Sequence, residues 1–304
     1  MQRPRRQGPL VSTDTQTRFL LPQAGVRGVH VQLTDAWRDV QQRADYPPNA
    51  TELLGQACAA AVLFTGHTKV DGRLSIQLRG DGPIRTLFAE CTAAGTLRGI
   101  VQLADGQDAP RDLSTLGDGT LLAITIENPG LDPREPQRYQ SLVGLQASTL
   151  DEAFEGYFRQ SEQLPTRLLL AATADGVAGI MLQKLPGDEG DVDGWNRVGA
   201  LFDTLGGAEL LQAHTETLLY RLFHEENPQI LTERAISFAC SCSRARVESM
   251  LQSLGQEEAT AALADGHAEV RCEFCGQEYG FDAAQIEELF AQSAVEVPAP
   301  PRLQ

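Results

Sequence analysis

Short alternating runs of apolar and polar residues mark the first part of the chain, from Phe19 to about Val31 and from Val70 to Gly80. In RLSIQLRG, Leu74, Ile76 and Leu78 fall on one face, the period of a half-buried strand. Asp71-Gly72, between GHTKV and RLSIQL, predicts a two-residue hairpin turn. Ala50 to Thr65 is rich in Ala and Leu, with Gly55 its one breaker, and predicts a buried helix containing Cys58. Further strands are predicted at Leu97–Leu103, Leu121–Glu127 and Tyr139–Leu145, separated by Gly and Pro clusters. Leu150, Phe154, Tyr157 and Phe158 recur at spacings that predict a helix over Thr149–Glu162, followed by a strand pair at Thr166–Thr173 and Gly179–Leu185.

Strands in hairpin-like groups point to an α+β domain with a mixed or antiparallel sheet, ending near Pro186. The acidic stretch PGDEGDVDG then has the composition of a linker. Beyond it Trp195, Val198, Phe202 and Leu205 form one helical stripe, with Gly206-Gly207 as its stop. Leu218, Leu219, Leu222 and Phe223 form a second, which ends before Asn227-Pro228. Both stripes are expected to dock on the first domain at rest. The expected organisation is a disordered tail at 1–17, an α+β core domain at 18–186, a helical linker at 187–235, a small C-terminal domain at 236–292 and a second tail at 293–304.

Composition narrows the function. Over 304 residues, 42% hydrophobic and 22% charged residues suit a folded chain of about two units. A net charge of -16 disfavours nucleic acid and anionic membranes as partners. No apolar run is long enough to span a bilayer, and no apolar core follows the basic N-terminus, so a cytoplasmic location is expected. In a reducing compartment, clustered cysteines more often bind metal or do redox chemistry than form structural disulfides.

The chemistry-bearing pattern lies near the C-terminus, where Cys240-Ser241-Cys242 is followed after 29 residues by Cys272-Glu273-Phe274-Cys275-Gly276. Two close pairs separated by a helix-sized insertion suit one tetrahedral Zn2+ with four sulfur ligands. HAEVRCEF and QEYGFD predict a hairpin around the second pair, and Asp282 a cap for a helix through Phe290. A closed four-thiolate site leaves no coordination position for substrate, which argues against a hydrolytic enzyme. An interaction module with a permanent structural zinc ribbon and a redox switch both remain open, as does a thiol oxidoreductase using Cys272 and Cys275. Toward a switch count the labile ring that a Cys-X-Cys disulfide would close and the adjacent Arg244, Arg246 and Arg271, expected to favour thiolates. Cys58 and Cys91 read as buried structural residues; His267 lies close before Cys272 and could compete as a ligand, but four cysteines already complete the shell, and His30, His67, His214 and His224 show no metal or triad spacing.

The cysteine arrangement resembles that of the heat-shock protein 33 family, also called the 33 kDa chaperonin family. So do VRG at 26–28, QLRGDGP at 77–83, YFRQSEQLPTRL at 157–168, LYRLFHEE at 219–226 and CSCSRARVESML at 240–251. The resemblance implies a bacterial, cytoplasmic, ATP-independent holdase and no enzyme, inactive while reduced and zinc-bound. Oxidation would pair Cys240 with Cys242 and Cys272 with Cys275, release the zinc, unfold the redox-sensitive linker at 187–235 and give an active homodimer. Unfolded client proteins would then bind an apolar surface, with Trp195, Phe202, Leu222 and Phe223 the expected contacts.

Overall fold

The structure is a computed structural model, and it describes residues 14–117, 119–132, 135–187, 191, 193–263 and 266–293. The chain divides into two compact units, one through Ala239 and one from Cys240.

The first unit begins with strands β1 (Thr15–Leu21) and β2 (Val26–Leu33) and helices α1 (Asp35–Gln41) and α2 (Pro48–His67). Strands β3 (Arg73–Arg79), β4 (Ile84–Thr92), β5 (Thr96–Leu103), β6 (Leu121–Asn128) and β7 (Gln137–Val143) follow. Next come α3 (Leu150–Tyr157), extended by a π-helical turn, then β8 (Thr166–Ala172) and β9 (Val177–Lys184). Helices α4 (Gly194–Phe202), α5 (Gly207–Gln212) and α6 (Thr215–Phe223) and strands β10 (Gln229–Ala235) and β11 (Ser237–Phe238) complete it.

Two sheets result, ordered β10-β1-β2-β9-β8 and β11-β5-β4-β3-β6-β7, antiparallel throughout except where β11 runs parallel to β5. The fold is thus α+β, as the hairpin-like grouping predicted. From Ala57 to Phe64 helix α2 is apolar and buried on every side, and residues of both sheets share its core cluster. Its small side chains allow close approach. A Cβ at Gly99 of β5 would stand 2.9 Å from the Cys58 sulfur, so the cysteine fills a tight contact.

The other face of the first sheet carries a second cluster. Phe19, Val26, Ile180 and Leu182 meet Val198, Phe202, Leu218 and Phe223 there, so both predicted stripes are docked. Polar ties reinforce the apolar contact. Thr215 Oγ1 lies 2.8 Å from His30 Nδ1, Gln32 Nε2 donates to the Ala213 carbonyl at 3.0 Å, and Arg197 of α4 grips the buried Glu226 carboxylate at 2.5 and 3.0 Å.

Several expectations change. Residues 14–17 are not tail: Asp14 is buried, its carboxylate accepts the Thr34, Asp35 and Ala36 amides at the start of α1, and β1 begins at Thr15. Residues 1–13 and 294–304 of the expected tails, and 188–190 and 192 of the acidic linker, lie outside the described residues.

Asp71-Gly72 is not a hairpin turn. It joins the end of α2 to β3, both amides donating to Asn128 Oδ1, and the close approach of the Glu127 carbonyl, 2.1 Å from where a Cβ would sit, requires the glycine. Gly206-Gly207 opens α5 rather than stopping α4, which ends at Phe202. The stretch 187–235 is not wholly helical, since β10 within it pairs with β1 at the sheet edge, and the unit boundary falls after Ala239 rather than Ala235.

The second unit holds α7 (Arg244–Leu254), α8 (Gln256–Ala261), β12 (His267–Arg271), β13 (Glu278–Asp282) and α9 (Ala283–Ser293). Val247, Leu251, Ala259, Phe281 and Ile286 form its buried apolar cluster, a core too small to hold such a module alone.

Candidate metal centre

Local structure brings the four predicted cysteines to one point in the second unit. Strands β12 and β13 pair antiparallel with Arg271 opposite Glu278 and Val270 opposite Tyr279, so Cys272 to Gln277 form the hairpin tip. There the Cys272 amide donates to the Gln277 carbonyl at 2.9 Å and the Gly276 amide to the Cys272 carbonyl at 2.8 Å. Gly276 sits at φ +70, a left-handed conformation that glycine adopts without strain, and the tight turn sets Cys275 beside Cys272. Cys240-Ser241-Cys242 runs directly into α7, whose first turn is capped by Ser243 Oγ accepting the Arg246 amide at 3.3 Å. At the far side, Asp282 Oδ1 accepts the Gln285 amide at 2.8 Å while the Asp282 amide donates to Gln285 Oε1 at 3.0 Å. This reciprocal cap starts α9 where Asp282 predicted it.

The four sulfurs all lie within 4.8 Å of one another. Cys240 and Cys272 sulfurs are 3.6 Å apart, and those of Cys242 and Cys275 are 3.2 Å apart. All four side chains are half-buried, and the set can hold one metal ion through four thiolates. Among the described residues this is the one group of three or more Cys, His, Asp or Glu whose donor atoms converge so closely. His267 is at the open end of the hairpin opposite Asp282, away from the sulfurs.

Sequence reasoning missed one residue of the site. Tyr279 of β13 donates its hydroxyl to the Cys242 sulfur at 3.2 Å, and that hydrogen bond pushes the phenol up to about 12. The Cys242 amide donates to the Cys240 sulfur at 3.4 Å. Burial opposes ionisation of Cys242, but the Tyr279 hydroxyl and the neighbouring thiols outweigh it and bring its thiol down to about 7. Burial pushes Cys275 up to about 12.

Two of the three flanking arginines, Arg244 and Arg246, make contacts within the module. Arg244 binds the Glu248 carboxylate at 3.1 Å and the Gly280 carbonyl at 3.1 Å, with its guanidinium 4.4 Å from the centre of the Phe281 ring. Arg246 donates to Ser241 Oγ at 2.7 Å. Both brace the module around the sulfurs.

The other cysteines are buried in the first unit. Burial, with Cys91 nearby, pushes Cys58 far up, and burial pushes Cys91 up to about 11, so neither is a thiolate at neutral pH. Of the expected client contacts, Phe202 and Phe223 are buried and Trp195 and Leu222 half-buried, all in the cluster between the sheet and the helices.

A family model described as Hsp33 protein matches residues 14–282. A 33 kDa chaperonin of Ectopseudomonas mendocina is 41% identical over 297 residues, covering 95% of this chain and 99% of the relative. That of Nitrosococcus oceani is 41% identical over 281 residues, covering 92% and 95%. The crystal structure of the 33 kDa chaperonin, a heat shock protein 33 homolog, from Thermotoga maritima matches the fold with a TM-score of 0.74 at 22% identity, covering 93% of this chain and 99% of that one. The converging four-cysteine cluster, the two-sheet fold and the match across both units give one conclusion: this chain belongs to the Hsp33 family.

Proposed function

We propose that this chain is a redox-regulated, ATP-independent holdase of the cytoplasm, held inactive by one Zn2+ on Cys240, Cys242, Cys272 and Cys275. The observation that carries the proposal is the four-sulfur cluster in a module with so small a core. Zinc with Zn–S bonds of about 2.3 Å sets tetrahedral sulfurs about 3.8 Å apart, a spacing that the cluster meets with small adjustments. When bound, the ion fastens the hairpin tip to the start of α7 and supplies folding free energy that the five-residue core lacks.

Oxidation removes two electrons from each thiolate pair, joining Cys240 Sγ to Cys242 Sγ and Cys272 Sγ to Cys275 Sγ. A two-electron oxidant such as hypochlorite is reduced to chloride in each step. Sulfurs joined as disulfides are no longer thiolate donors, so the zinc is lost and the module with it. The proposed consequence is loosening of 187–235, which uncovers Trp195, Phe202, Leu222 and Phe223. Exposed Tyr220, Ile230 and Leu231 add apolar area for unfolded clients. The oxidised form is a homodimer, and neither nucleic acid nor membrane is a partner. Enzymatic turnover forms no part of the mechanism.

The test is suppression of aggregation of a thermally unfolding protein without ATP. Suppression by the hypochlorite-treated chain and not by the reduced chain is expected. Equal behaviour of the two forms would favour an interaction module with a permanent zinc ribbon.

A further inference from the structure

Beside the C-terminal end of α2, the first sheet opens into a cavity of about 530 Å³. Strand alternation sets Gln16 and Arg18 on one face of β1, opposite Arg234 and Thr232 of β10, and Arg27 enters from β2. Arg18, Arg27, Lys69 and Arg234 all line this cavity, and no Asp or Glu among the described residues lines it. That is unexpected in a chain with 41 acidic residues against 25 basic ones.

The polar partners of these cations are neutral. Arg27 donates to Gln183 Oε1 from Nε at 3.2 Å and from Nη2 at 2.5 Å, and its Nη2 lies 3.2 Å from His67 Nε2. Burial first and then Arg27 hold His67 at about 3, so its ring is neutral and accepts that proton. Arg234 donates from Nη1 to the Ala93 carbonyl at 2.6 Å, while its Nε and Nη2 are buried with no partner. Glu162, which lines the neighbouring cavity that also touches Arg27, accepts from the Tyr157 hydroxyl at 3.1 Å. Capping of the α2 C-terminus does not account for the cluster, since the hydrogen bonds of Arg27 and Arg234 go to other groups.

We propose that this cavity binds a small anion bearing several phosphate groups, gripped by Arg18, Arg27, Lys69 and Arg234. Forked guanidiniums match phosphate oxygens two at a time, and a lysine adds a mobile point charge. Four cations ask for more than one negative charge, and the cavity is longer than one phosphate group fills. The site is separate from the thiol cluster and independent of the redox proposal.

The probe is inorganic tripolyphosphate, titrated calorimetrically into the full-length, reduced, zinc-loaded chain, with inorganic phosphate as comparison. Saturable binding of one tripolyphosphate per chain is expected, at least about tenfold tighter than phosphate, and weaker as salt rises from about 50 to about 200 mM. Arg18→Gln with Lys69→Gln, both at exposed positions, should lower the affinity by about tenfold or more, as loss of charged hydrogen bonds does. Circular dichroism of that variant should match the unaltered chain. Absence of saturable binding at low salt, or an affinity within about twofold in the double variant, would overturn the assignment.

Discussion

Phe223→Ala probes the link between the docked helices and client binding. Phe223 ends α6, is fully buried, and packs in the cluster that joins α4 and α6 to the first sheet. Truncating a buried phenylalanine costs about 3–5 kcal/mol, combining lost transfer energy with the cavity left behind. The larger core around α2 does not contain Phe223, so the loss falls on docking of the helices. Each 1.4 kcal/mol is about tenfold in an equilibrium, which makes opening of 194–226 about 10²- to 4 × 10³-fold more frequent. Hydrogen exchange on the reduced, zinc-loaded variant should show that acceleration in 194–226 and unchanged protection in α2 and β3 to β6. The same sample should suppress aggregation of a test protein in part, without oxidant. Faster exchange with no gain in suppression would refute the idea that this cluster hides the client surface. Exchange within about threefold of the unaltered chain would refute its role in docking.

Tyr279→Phe removes the hydroxyl that donates to the Cys242 sulfur and should weaken zinc binding by about 10- to 100-fold, as loss of an outer-sphere partner does. Competition with a chromogenic chelator measures it, and unchanged affinity would leave the hydroxyl without a role. His30 is buried and its ring is held at about 4, below the usual 6.5, by burial. The unfolded chain therefore takes the proton first as pH falls, and this contribution, on the order of 3 kcal/mol, is complete above about pH 6.5 and lost toward pH 4. Thermal midpoints between pH 7 and pH 4.5 should fall less steeply for His30→Gln than for the unaltered chain, and equal slopes would contradict the assignment.

The legible parts of this chain were those fixed by local spacing. Leu74, Ile76 and Leu78 alternate because β3 has one face against α2, and the four cysteines announced their cluster because a metal site needs its donors in close pairs. Elements fixed by distant contacts were not legible. IRTLFAECT of β4 hides its alternation, because its register shifts between Ile84 and Thr86 and because Arg98 covers the outer-face Phe88 ring and neutralises the buried Glu90 at 2.9 Å. Exposed β10, with its charged Glu233 and Arg234, has no pattern of its own and becomes a strand by pairing with β1. Asp71-Gly72 carried a turn signature, yet its glycine answers to the Glu127 carbonyl, 55 residues away from Gly72 in sequence. Tyr279 was hidden for a similar reason, since only the hairpin register sets it beside Cys242.

Zinc content, free thiols and aggregation suppression, measured on the same samples before and after hypochlorite, test the switch most directly. The reduced chain should hold about one zinc and, in denaturant after zinc removal, show all six thiols. The treated chain should hold none and keep two thiols, the buried Cys58 and Cys91, with suppression rising in step with zinc loss. Zinc retained with four thiols resistant to oxidant, or zinc lost with no gain in suppression, would contradict the account.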